Sequence, residues 1–217
     1  GAAGLTLTDA VVTKNGGANV VGAGLAAEDS TTTLTRVTVT DNVGGAGGNG
    51  AVYSGSAFFG LGATLVMTDC TVSGNTGYVG GVLNDIPNGG TVTATLSGCT
   101  ISGNAGIGFR NGSTATVTNS TISGNVSSSL GAGITTGGTL NLRSSTVTLN
   151  HRTNGPSADG AGGIYGGGSI VFRNTIVAGN QSDTVGRKDP DCDASGIVSE
   201  GFNIVGDGFG CPLLVDG

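Results

Sequence analysis

Few residues in this chain are equipped for chemistry, and they fall in short clusters. The run DPDCDASG (189–196) sets Asp189, Asp191 and Asp193 at alternate positions. That is the spacing of the first ligands of a calcium loop, where carboxylate oxygens surround a hard cation. Such loops place a glycine after the third acid and a bidentate glutamate further on. Here Ala194 follows, and Glu200 is only a loose substitute. The run therefore reads as a solvated acidic loop, with calcium binding as the alternative and no other cofactor expected. The four cysteines are Cys70, Cys99, Cys192 and Cys211. None forms a C-x-x-C pair, and the lone His151 leaves too few partners for zinc. Cys192 and Cys211 bracket an irregular segment and are expected to be disulfide-bonded, pinning it down. An even cysteine count in a Thr-, Asn- and Gly-rich chain leans extracellular, where disulfides persist.

Catalytic constellations are sparse. Lyases and hydrolases of acidic polysaccharides need clustered carboxylates, or calcium with a basic residue. No strand position in the pattern below carries acids on two adjacent turns; Asp41, Asp69 and Asp85 sit at different offsets. G-x-S-x-G, H-E-x-x-H and phosphate-loop motifs are absent. With 8 Lys and Arg against 14 acids, the formal net charge is −6. That gives no electrostatic footprint for nucleic acid or anionic lipid. No apolar run reaches the roughly 20 residues that span a bilayer. The opening GAAGLTLTD has neither a basic n-region nor an apolar h-region.

What would position any site is a repeat. TVSGN ends at Asn75, TISGN at Asn104 and again at Asn125. Looser copies end at Asn15, Asn42, Asn150 and Asn180, so successive asparagines are 27, 33, 29, 21, 25 and 30 residues apart. A unit of this length marks a solenoid. Ten and eight residues before each asparagine stand mostly apolar pairs, such as Leu65/Met67 and Leu140/Leu142. A second pair lies five and three before, such as Cys70/Val72 and Cys99/Ile101. Each pair is the inward side of a short strand. The mostly small, polar position six before the asparagine (Asp9, Arg36, Asp69, Gly98, Asn119, Ser144, Asn174) is where the chain must bend. A third strand follows a variable insert, in GAGL (22–25), GAVY (50–53), GGVL (80–83), GIGF (106–109), GAGI (131–134) and GGIY (162–165).

The fold expected is all-β, a single right-handed parallel β-helix of about seven turns with three short strands each. It should cover residues 1–180, with an irregular cap over 181–217 closed by the disulfide. All four prolines fall outside the strand windows. Stacked asparagines should hydrogen-bond from turn to turn, as a ladder at one bend. Asparagine also tolerates the left-handed backbone such bends need. Cys70 and Cys99 share an inward slot on successive turns, either as buried free thiols or as a second disulfide. Arg143 and Arg173 should stack on an outward face. An acid from residues 183–193 is expected to offset them, an anionic sugar being the alternative.

The pairing of T-[IV]-S-G-N with G-G-[IV] resembles bacterial secreted and cell-surface β-helix proteins, including those with polymorphic outer membrane protein-like repeats. The ending RNTIVAGN…PDCDASGIVSEGFNIVGDGFGC is similar to the end of many such proteins. The resemblance implies an extracellular or cell-surface setting. It does not specify an activity, because fold does not determine function.

The function expected is a non-catalytic structural or adhesive module. Its partner would be a glycan held by the inserts after Asn42, Asn75 and Asn150, or a second copy stacked on the uncapped first turn. A polysaccharide lyase or hydrolase is the first alternative. Ice binding is the second, suggested by outward files such as Thr71/Ser73, Thr100/Ser102, Thr121/Ser123 and Thr6/Thr8, Thr33/Thr35. Serine substitutions and unequal coils argue against a flat ice-matching face, so no ice activity is expected.

Overall fold

A computed structural model describes residues 4–17, 22–45, 51–55, 62–85, 90–153, 160–183, 191–208, 210–211 and 214–215. Every regular element among them is a β-strand. No helix among them is long and apolar enough to cross a membrane. Parallel sheets of nine, eight and seven strands stack into a β-solenoid. The four prolines lie outside the described residues.

The register follows the asparagine spacing. In the first sheet Leu34, Met67, Leu96, Val117, Leu142 and Phe172 form one inward file. In the second, Val39, Val72, Ile101, Ile122, Val147 and Val177 form another. All are at most 1% exposed, so each contributes roughly 1.5–3 kcal/mol by leaving water. β-Branched and straight aliphatic side chains suit this position because the pleat presents them side by side in successive coils. The outward threonines also lie in register, with Thr71, Thr100 and Thr121 in one file. Those of the first sheet are interrupted by Val66, Asn141 and Val171.

Three expectations change. The second strand is only three residues long, beginning four before the asparagine, so the position five before lies in the bend. The third strands begin at the apolar residue of their motifs and continue past it. They run Leu25–Glu28, Val52–Gly55, Val82–Asp85, Phe109–Asn111, Ile134–Thr136 and Ile164–Gly166. Finally, the segment read as an irregular cap from 181 onward carries strands of its own. Cys192–Ala194 joins the third sheet, Ile197–Ser199 the first and Ile204–Val205 the second. Residues 192–205 thus make a further coil. Short β-branched runs such as GIVS and FNIV suffice to extend a parallel edge that already offers unpaired backbone groups.

The two sharp bends obey one rule. At the first, the residue six before each asparagine has φ near +50° to +64°, including Asp9, Arg36, Asp69, Gly98 and Asn119. At the second, the left-handed residue is the one before the asparagine, not the asparagine itself: Asp41, Gly74, Gly103, Gly124 and Gly179. Glycine has no Cβ to clash there, which explains the G in S-G-N.

Candidate functional site

The asparagine ladder is continuous from Asn15 to Asn180. Each backbone N–H and side-chain Nδ2 donates to the Oδ1 of the next asparagine at 2.8–3.1 Å. Inside the ladder the amides also donate to backbone carbonyls, as Asn104 Nδ2 does to Val72 O at 3.1 Å. The glycine before four of the third strands (Gly24, Gly108, Gly133 and Gly163) packs against these amides. A Cβ on Gly133 or Gly163 would lie 2.8 Å from the Nδ2 of Asn150 or Asn180. In those coils the glycine before the apolar residue gives the ladder its clearance, whereas Ala51 stands at that position before Val52.

The end of the ladder explains the aspartate run. Asp191 occupies the row held by Gly163 in the coil before. Where a next asparagine would stand, the sequence has Gly208, and the Asp191 carboxylate enters that space. Its Oδ1 accepts from Asn180 N and Nδ2, both at 2.8 Å, and its Oδ2 accepts from Asp207 N at 2.8 Å. A carboxylate only accepts, so it can end a chain of donors without leaving an N–H unpaired. Asp193 Oδ2 accepts from Gly160 N at 2.9 Å. Asp189 lies outside the described residues. Among the described residues no group of three or more His, Cys, Asp or Glu is placed to hold a metal ion.

A second stack fills the first bend. Cys70, Cys99, Ser120, Ser145 and Thr175 each direct a thiol or hydroxyl to the carbonyl two residues back, at 2.8–3.4 Å. Cys99 N and Ser120 N donate onward to Ser120 Oγ and Ser145 Oγ. Cys70 and Cys99 are buried and free. Contact with Cys70, then burial, pushes the Cys99 thiol up. Cys192 and Cys211 are bonded, with Cα atoms 5.3 Å apart; disulfides persist best where the surroundings are oxidising.

Part of the segment expected to supply an acid to the arginine pair, 184–190, lies outside the described residues. Arg143 and Arg173 do stack, and among the described residues the acid at Arg143 is Glu200, at 2.9 Å. The further coil brings it there. Two acids share a file that spacing did not reveal. Glu28 and Asp85 flank Gly55 in the third sheet, two coils apart. The Tyr53 hydroxyl lies over Gly55 and occupies the gap. Burial, then the charges of Glu28, Asp85 and Asp29, raises the Tyr53 phenol.

The open concavity lies on the row just after the asparagines, where Val43, Thr76, Ala105 and Val126 pair coil to coil. Its origin is unequal insert length. Val82 follows Asn75 after six residues (76–81), and Ile134 follows Asn125 after eight (126–133). Phe109 follows Asn104 after only four (105–108). The short coil is a floor, Ala105 and Gly106, between two taller walls. One wall is Thr76, Gly77 and Tyr78; the other is Val126 and Ser127–Ser129, and the volume between them is about 400 Å³. Tyr78 is 47% exposed. Arg110 holds its guanidinium over the Tyr78 ring, 5.6 Å from the centroid, and reaches Asp85 at 3.8 Å. On the opposite wall, fully buried Arg152 donates from Nε to Ser129 O at 3.0 Å. Among the described lining residues none is charged. No protein-family profile matches this chain, and neither do any curated proteins or solved structures.

Proposed function

We propose that this chain is a non-catalytic structural and adhesive module of an extracellular or cell-surface protein, and that it holds a glycan in the notch above Ala105. The observation that carries this reading is the notch itself. It combines an exposed aromatic wall at Tyr78 with a hydroxyl-rich wall at Ser127–Ser129, on a rigid stack of coils. Rings and hydroxyls on a preformed scaffold suit a sugar, whose faces are apolar and whose edges are polar. The notch also falls among the inserts, where a solenoid varies without disturbing its core. The Cys192–Cys211 disulfide supports an oxidising setting. Against a hydrolase stands the packing between paired acids: Tyr53 fills the space between Glu28 and Asp85 where a substrate and water would sit, and Arg36 stands between Asp9 and Asp69 in their row.

The test is binding to an immobilised glycan panel, with wild type beside Tyr78→Ala. Retention of at least one glycan by wild type, and its loss in the variant, is expected. No retention above background, or release of new reducing ends from any polysaccharide, would overturn the proposal.

A further inference from the structure

Resting on the glycan reading above, we infer that the notch selects an uncharged oligosaccharide, and that Arg110 is a positioning residue that sets the Tyr78 ring for it. Two observations carry this. The first is the charge of the lining. Thr76, Tyr78, Ser128 and Ser129 supply hydroxyls, and no described lining residue supplies a cation. A uronate or sulfated sugar entering here would lose hydration without gaining a counter-charge. The chain's net charge of −6 adds a repulsive background. Neutral sugar hydroxyls face no such cost, since serine and threonine both donate and accept.

The second observation is how the aromatic wall is held. Tyr78 is half-exposed and lies on an insert, so its ring would be free to turn if nothing fixed it. Arg110 projects outward from the third sheet, in register with Leu83 and Thr135. Its guanidinium lies over the ring and does not line the notch. The cation is thus attracted to one ring face and leaves the other for the ligand. Asp85, one coil away, lies 3.8 Å from the Arg110 guanidinium and offers it a counter-charge. The opposite wall has its own anchor in the Arg152–Ser129 bond. A ring fixed before the ligand arrives loses less conformational freedom on binding.

The experiment uses calorimetric titration of the full chain with neutral hexasaccharides (of glucose, mannose and N-acetylglucosamine units, separately) and with hexagalacturonate. Wild type is expected to bind at least one neutral probe and to prefer it to hexagalacturonate. Arg110→Met should weaken that binding roughly three- to tenfold. Arg110→Lys should recover part of the loss, keeping the cation but not the planar fork. Both variants should keep the wild-type melting temperature, because a half-exposed arginine contributes little to stability. Preference for hexagalacturonate, or a neutral affinity unchanged in Arg110→Met, would overturn this inference alone. Failure of every probe to bind wild type would overturn the glycan reading together with it.

Discussion

Replacing Asn104 by alanine is the sharpest test of the ladder. Asn104 is 1% exposed. Its Oδ1 accepts from Asn75 N and Nδ2, both at 3.0 Å. Its Nδ2 donates to Val72 O at 3.1 Å and to Asn125 Oδ1 at 2.8 Å. The substitution removes all four. At roughly 0.5–1.5 kcal/mol each, the loss is about 2–6 kcal/mol, and the Asn75 N–H left buried without an acceptor places it in the upper half. A domain with a total stability of about 5–15 kcal/mol will register that clearly. Asn15→Ala is the internal control. Asn15 occupies the same turn but is exposed, so water replaces its partners and the cost should stay below about 1 kcal/mol. If asparagine served only to favour the turn, the two substitutions would cost the same. Urea unfolding followed by far-ultraviolet circular dichroism measures the global effect. Solenoids can unfold in parts, so amide exchange at Asn75 should be read alongside it. A loss for Asn104→Ala no larger than that for Asn15→Ala, with Asn75 still protected, would refute the reasoning.

Reduction of Cys192–Cys211, which closes a separation of 19 residues, should lower stability by about 3 kcal/mol. Denaturant midpoints with and without reductant measure it. The two remaining thiols, Cys70 and Cys99, are buried and should not react with an aromatic disulfide reagent in the native state. Two equivalents should appear on unfolding, and rapid native reaction would contradict the packing. Arg36 donates to Asp9 at 2.6 and 2.7 Å, and that hydrogen bond first, then the guanidinium charge, holds the Asp9 carboxyl below its usual 3.8. The pair's contribution is therefore present above the unfolded value and lost as pH falls through the lower folded one. Carboxyl-carbon titration by nuclear magnetic resonance should place Asp9 below ordinary aspartates, and Arg36→Ala should return it to their range.

Several features were legible without coordinates because they repeat. An inward residue must recur wherever the core recurs, and a ladder asparagine must meet its copies above and below. Counting back from Asn75, Asn104 or Asn125 thus locates the strands Thr71–Ser73, Thr100–Ser102 and Thr121–Ser123 and both bends. The Cys192–Cys211 bond was expected because the two cysteines bracket a segment that lacks the repeat, and it is formed. The notch was half legible. Four residues between Asn104 and Phe109, against six and eight in the flanking coils, is a count anyone can make, but which inserts become walls depends on how they fold back.

Other features depend on what unequal coils place side by side, and spacing along the chain does not encode that. Asp191 lies 11 residues from Asn180, far from any coil length, yet it completes the ladder because Gly208 leaves its place empty. Glu200 reaches Arg143 only because residues 192–205 add a coil. Glu28 and Asp85 share a file only once a glycine coil is counted between them. Arg110 meets Tyr78 because the short coil lets an insert from the coil before it lean over the third sheet. The amino-acid sequence determined the period and the core, since burial and backbone pairing act identically in every turn. The tertiary structure decided the partners at the exceptions, since those contacts run between coils whose lengths differ.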